Sequence, residues 1–176
     1  MIDPATNTPI SIVGNAAESE IKGFEVELSA LPVPDLILST NIGYTDAEYT
    51  KVDPTAPITK NDKFPMTPEW TVTLSGQYEI PFRNLGNLIG RADYAYKTKI
   101  YYQPVNDPLS TQGGYGLLNS RLTFAHISDN WEVSVFGTNL TDKRHVITGL
   151  DGRSLGFALV QYARPREWGV SFRYSF

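Results

Sequence analysis

Cysteine is absent from the 176-residue chain, which rules out disulfides, thiolate metal sites and a cysteine nucleophile. No apolar run approaches the ~20 residues that a membrane-spanning helix needs, so any membrane crossing has to be made by strands. Histidine occurs twice, as His126 and His145, and neither has a second histidine or a carboxylate at ligand spacing. An interfacial or loop role suits both better than a metal site. Charged residues make up 19% of the chain, the net charge is -4 and the pI is near 5.1, so electrostatics argue against a nucleic-acid partner. The first residues have no basic n-region and no apolar h-region, so they are not a signal peptide. The expectation is a chain that begins after its signal or forms part of something longer.

Aromatic rings are plentiful, at 12% with ten Tyr against three Trp, a composition that leans toward a β-rich chain with many amphipathic rings. The C-terminal stretch shows this most clearly. Trp168, Val170, Phe172, Tyr174 and Phe176 fall on one face of a strand, while Gly169, Ser171, Arg173 and Ser175 fall on the other. The last residue is an aromatic on the apolar side, where water gains nothing and lipid does.

The same period of two recurs upstream. Residues 1–18 are rich in Pro, Thr, Asn and Ala and read as a loop or the end of a preceding strand; residues 19–176 read as the repeating part. Phe24, Val26, Leu28 and Ala30 alternate with Gly23, Glu25, Glu27 and Ser29. Runs over 36–49, 70–80, 88–103, 115–127 and 131–140 follow the rule, the last with a face assignment that weakens near Phe136. The expectation is an all-β, antiparallel meander of about seven long transmembrane strands.

Connections alternate short and long: 32–35, then 51–68, 81–87, 104–114, 128–130 and 142–165. Short turns at one end and long loops at the other are the layout of an outer-membrane barrel, and each run reaches the ~9–11 residues a tilted strand needs to cross a bilayer. On this reading Glu25, Glu27, Gln77, Glu79, Arg91, Asp93, Arg121, Glu132 and Arg173 face a wet lumen or a plug. Two aromatic belts are expected: Trp131 and Tyr78 near the short-turn end with Phe176, and Trp70, Tyr101, Tyr102 and Trp168 near the long-loop end. Seven strands do not close a single-chain barrel of even strand number unless residues 10–13 mark an eighth.

Catalytic motifs are lacking. Glu25 and Glu27 share a face but have no partner constellation for acid/base work, and Ser154 stands outside a nucleophile elbow. No cofactor is indicated.

Four stretches, in this order, resemble the C-terminal barrel of TonB-dependent outer-membrane receptors of the siderophore-receptor type. They are Asn15-Ala-Ala-Glu-Ser-Glu-Ile-Lys-Gly-Phe-Glu-Val-Glu27, Leu38-Ser-Thr-Asn-Ile-Gly-Tyr-Thr-Asp-Ala-Glu-Tyr49, Val135-Phe-Gly-Thr-Asn-Leu-Thr-Asp-Lys-Arg144 and Pro165-Arg-Glu-Trp-Gly-Val-Ser-Phe-Arg-Tyr-Ser-Phe176. The block ending Asn-Leu-Thr-Asp-Lys-Arg is the most specific. The resemblance implies a segment of a barrel of about 22 strands with a plugged lumen, in the outer membrane of a Gram-negative bacterium. It implies import of ferric siderophores, cobalamin or sugars with energy delivered by TonB through a box outside this chain. Phe172, Tyr174 and Phe176 resemble the signal read by the barrel-assembly machinery. A small independent outer-membrane barrel serving as an adhesin or structural protein, and a soluble β-sandwich or lipocalin-like binding module, stay open as alternatives.

Overall fold

A computed structural model describes residues 16–153 and 156–176, so the strand expected at 10–13 lies outside the described residues. Seven strands form one antiparallel sheet in which every neighbour is the next long strand along the chain. They are β1 (Ala17–Val33), β2 (Leu36–Val52), β3 (Trp70–Phe82), β4 (Gly86–Lys97), β7 (Tyr115–His126), β8 (Trp131–Thr138) and β11 (Glu167–Tyr174). The long loops carry two further pairs, β5 (Ile100–Tyr101) with β6 (Thr111–Gln112), and β9 (Val146–Gly152) with β10 (Phe157–Tyr162).

The register turns the alternation of single strands into two continuous surfaces, because directly opposed residues share a face. One row runs Thr40↔Leu74↔Tyr94↔Leu118, another Ile80↔Leu88↔Phe124↔Val133↔Phe172. This apolar surface is open to its surroundings, with Leu28 61%, Phe172 66% and Trp168 79% exposed. A water-facing surface of this extent is not a feature of soluble monomers, whose exposed apolar patches stay within ~300–600 Å². The opposite surface carries Ser29↔Ser39↔Ser75↔Asp93↔Asn119 and Gln77↔Arg91↔Arg121↔Phe136. Phe136, where the alternation is hardest to read, is on this polar side beneath the Arg121 guanidinium, 4.9 Å from its ring centroid.

Tight turns at 34–35, 83–85 and 127–130 close one end. Asp35 (φ 65) and Asp129 (φ 55) take the left-handed conformation that short polar side chains tolerate. Gly86 (φ 138) ends the second turn, where an added Cβ would collide with the Ala125 carbonyl oxygen.

Strand lengths depart from the even expectation. β1 and β2 reach 17 residues each, whereas β8 and β11 stop at eight. From Thr45 to Val52, β2 pairs with β1 alone and projects past the rest of the sheet. On its outward face the aromatic cluster Phe24, Tyr44 and Trp70, with centroids 4.7–5.9 Å apart, gives way to the pairs Lys22↔Asp46 and Glu20↔Glu48. β8 stops because Asn139 turns the chain into the left-handed region (φ 49). The run expected over 88–103 breaks at Lys97 because Ile100 and Tyr101 leave the sheet to pair with Thr111 and Gln112.

Candidate functional site

Two surfaces can meet a ligand: the polar face of the sheet and the cluster of long loops at its upper end. All nine polar candidates lie on one face, opposite the aromatic rows, by the register above. Several are tied together. The Arg91 Nη2 lies 2.8 Å from the Asp93 Oδ1, which also accepts from the Ser75 hydroxyl at 2.7 Å. The Asn41 amide donates to the Glu27 Oε1 at 2.9 Å, and Arg173 approaches Glu132 at 3.7 Å. Among the described residues, Glu25 and Glu79 have no cation within ion-pair distance. A trough of about 200 Å³ between β1, β2 and β3 is lined by Glu27, Ser29, Ser39, Asn41, Thr73 and Ser75. Hydroxyl, amide and carboxylate groups in such a row suit a wet, hydrogen-bonding contact.

The loops pack on one another, and several of the buried residues among those described are there or beside them: Ile58, Ile100, Ser110, Tyr115 and His145. The 53–69 loop is held to the 98–114 loop through Asn106, whose amide N–H donates to the Asp62 Oδ1 at 3.1 Å and whose side chain donates to the Lys63 carbonyl at 3.0 Å. A 3-10 turn, Pro108–Ser110, is capped by Asp107. The β9–β10 hairpin lies against that turn because Gly149 has no side chain; a Cβ there would stand 2.7 Å from the Leu109 carbonyl oxygen. Arg153 clamps the hairpin through ion pairs to Asp151, at 2.8 Å, and to Asp107. The Gln112 side-chain carbonyl accepts from the Val146 N–H at 2.7 Å, and the Tyr102 hydroxyl donates to the Val146 carbonyl.

This cap explains where the remaining candidates fall. Trp70, Tyr78, Trp131 and Trp168 lie on the outward apolar face, with Tyr78 opposite Leu36 beside the first tight turn. Tyr101 and Tyr102 are instead part of the loop cap, where Tyr101 bridges Pro65 and burial pushes the Tyr102 phenol up. Phe172 and Tyr174 continue the outward face, the Tyr174 ring meeting Phe176 edge-on at 5.1 Å. His126 stacks on Trp131 at 4.8 Å and His145 on Tyr115 at 4.2 Å. Among the described residues no group of three or more His, Asp or Glu is placed to hold a metal.

Alternation alone misses the cap. Its signals are small: an Asp107-Pro108 pair marking a capped turn, and Asp151-Gly152 between two short apolar runs. The most specific block of the sequence also has its reason here. Asn139 (φ 49) and Asp142 (φ 51) both sit in the left-handed region. The Asn139 side chain bonds the Lys143 N–H and the Lys143 and Arg164 carbonyls, while Asp142 accepts from the Arg166 N–H at 3.0 Å. Together they fasten the start of the last long loop to its end.

The carboxylates of the cap make it acid-sensitive. Hydrogen bonds from Arg153 hold Asp151 below its ordinary range; at Asp62, burial acts upward but the Thr59 and Asn106 groups outweigh it. A depressed folded-state value means the contribution is present above the unfolded value near ~4 and lost as pH falls through the folded one. Protease cleavage within the 142–165 loop is therefore expected to be flat from pH 8 to 5 and to rise below about pH 4. A rise already at pH 6 would contradict this assignment.

The family model described as TonB dependent receptor-like, beta-barrel matches residues 1–140. The chain belongs to that family. TonB-dependent receptor barrels are outer-membrane proteins of Gram-negative bacteria, and the seven strands are a segment of such a barrel wall. Solved receptor structures share the fold. The ferric yersiniabactin uptake receptor FyuA from Yersinia pestis superposes with TM-score 0.78 at 23% identity, over 92% of this chain and 24% of that one. The siderophore receptor PiuA from Acinetobacter baumannii gives 0.71 at 20%, over 90% and 22%. BauA, the ferric preacinetobactin receptor of the same organism, gives 0.70 at 18%, over 100% and 25%. The receptor chain thus spans about a quarter of the length of these proteins. No curated protein matches it.

Proposed function

We propose that residues 19–176 form the C-terminal wall of an outer-membrane TonB-dependent receptor that actively imports a ferric siderophore or a similarly large nutrient, and that the chain is not an enzyme. The observation that supports this most is the partition of the sheet into one apolar and one polar surface in a chain of this receptor family, with all three long loops packed at one end. On this reading the apolar face meets lipid, and Trp70 and Trp168 sit at the outer boundary, with Trp131 and Tyr78 at the inner one. Glu25, Glu27, Gln77, Glu79, Arg91, Asp93, Arg121, Glu132 and Arg173 line the lumen and contact a plug supplied by another part of the receptor. TonB engages that other part. Phe172, Tyr174 and Phe176 present the surface taken up by the barrel-assembly machinery.

The reading is tested in a host stripped of its own siderophore receptors and grown under iron limitation. Restoring the complete receptor is expected to rescue growth on one ferric siderophore, and only when TonB is present. Rescue that persists without TonB, or no binding of any ferric siderophore by the purified receptor, would sink it.

A further inference from the structure

Beyond the Tyr44↔Trp70 pair β2 loses β3 as a neighbour, and two loop segments take that place without filling it. The Thr45 N–H still reaches the Glu69 carbonyl at 2.9 Å; the rest of the 63–69 segment bends away, with Met66 in the left-handed region (φ 57). The Met66 N–H donates to the Tyr101 carbonyl at 2.8 Å and Pro65 bridges Tyr101, which fastens this segment to residues 100–101. Phe64 turns back onto the strand and stacks on Tyr49, with centroids 4.3 Å apart. These contacts surround a cavity of about 120 Å³ whose β2 side is Thr45 and Ala47. Those two residues follow Asn41 and Gly43 at period two, so the cavity stands on the polar face, on the long-loop side of the trough that Glu27 and Asn41 line.

Trough and cavity differ in charge. The trough has one carboxylate, Glu27, and no cation. The cavity has Lys63 and Lys99 against Glu69, an excess of one positive charge. Glu69 is committed to Lys63 at 3.3 Å. Lys99 has no carboxylate within ion-pair distance among the described residues, and its ammonium lies over the Tyr101 ring, 5.0 Å from the centroid. Phe64 and Tyr101 add aromatic surface to the lining. A closed cavity of about 150 Å³ holds one benzene ring. The space beside β2, which is partly open, therefore has room for one six-membered ring and not for a whole metal complex. A flat ring carrying anionic oxygens meets both kinds of lining, since rings pack on rings and each ammonium offers N–H donors to oxygen. A hydroxamate arm has no ring, and its ferric complexes are neutral where those of catecholates keep a net negative charge.

We propose, resting on the reading that the receptor imports a ferric siderophore, that this cavity takes one catecholate ring of the complex and so makes an anionic catecholate complex the substrate class. The ring packs against Phe64 and Tyr101 and its oxygens face Lys63 and Lys99. Glu69 is a positioning residue that holds Lys63.

The test uses the complete receptor, purified in detergent, and two synthetic tripodal ligands on one scaffold, a tris-catecholate and a tris-hydroxamate, each loaded with ferric iron. Quenching of tryptophan fluorescence reads the affinity. Wild type is expected to bind the catecholate complex more tightly than the hydroxamate complex. Lys99→Gln and Phe64→Leu should each weaken catecholate binding about tenfold, the loss of one contact to a charged or stacked group, and leave hydroxamate binding within about twofold. Tyr101→Leu should weaken it likewise, and Tyr101→Phe, which keeps the ring, should recover most of that loss. Lys60→Gln removes a positive charge from the 53–69 loop outside the cavity and should leave catecholate binding within about twofold, because exposed charges at a distance are screened. Heat-modifiable migration checks that each variant has folded. Equal weakening by Lys60→Gln and Lys99→Gln overturns the proposal by assigning the effect to long-range charge. Tighter binding of the hydroxamate complex overturns the substrate class and leaves the import reading in place. Failure of both complexes to bind also overturns it, and growth rescue separates the two readings: rescue by another ferric siderophore keeps import standing, and rescue by none sinks both.

Discussion

Phe172→Arg is expected to abolish membrane insertion of the receptor, while Arg173→Ala, one residue away, inserts like wild type. Phe172 is on the outward row with Val133, Phe124 and Leu88, and its ring lies 6.5 Å from Trp131. An arginine there places a charge against hydrocarbon at ~2–4 kcal/mol near the midplane, on a strand bonded on one side to β8. Two residues from the Trp131↔Tyr174 pair it has some freedom to reach the interface, so Val170→Arg, further from that end, should be at least as severe. Arg173 points the other way. It is exposed and 3.7 Å from Glu132, a loose pair of the kind that contributes about 0–1 kcal/mol. Membrane fractionation and heat-modifiable migration distinguish the two outcomes; equal behaviour of Phe172→Arg and Arg173→Ala would mean the two faces have been assigned the wrong way round.

That contrast is legible in the sequence because strand geometry imposes it: side chains at i and i+2 share a face, and a buried or lipid-facing surface forbids a slip of one residue. Each short turn is legible for the same kind of local reason, through Pro34-Asp35, Asn84-Leu85-Gly86 and Ser128-Asp129. What local pattern does not carry is the distance between elements far apart in sequence. Tyr101 and Tyr102 look like belt residues because they follow an alternating run. They end in the loop cap because Pro65, Ser110 and Val146, each distant along the chain, offer partners. The same holds for the β9–β10 hairpin, whose docking depends on Gly149 meeting Leu109 and on Arg153 reaching Asp107. Phe136 defies alternation for a different reason, since a polar face can hold an aromatic when an arginine from the next strand covers it.

Asn139→Ala is expected to release the last long loop at a cost of about 3 kcal/mol while leaving the barrel wall intact. Three losses add. The left-handed backbone (φ 49) suits Asn and strains Ala by ~1–2 kcal/mol. The Lys143 N–H loses its 2.8 Å acceptor, and the Lys143 and Arg164 carbonyls lose their 3.1 and 3.4 Å donor beside a residue that is 6% exposed. A buried polar group left unpaired costs about 1–3 kcal/mol, so even partial rehydration leaves a deficit. The remaining anchors, the Asn139 N–H to the Asn119 side chain at 2.9 Å and the Leu140 N–H to the Leu118 carbonyl at 2.8 Å, use main-chain groups and survive the change. The damage should therefore travel outward into residues 143–166 and not down into β7 and β8. Asn139→Gly removes the strain but not the lost bonds and should recover only part of the deficit. Asn139→Asp keeps an acceptor for Lys143 and turns its other oxygen against two carbonyls, which places it near Ala. Amide exchange at Lys143 and at the β9–β10 hairpin, compared with exchange in β7, reads the effect directly. Unchanged protection of Lys143 in the Ala variant would show that the loop is held by the Arg153 clamp and not by Asn139.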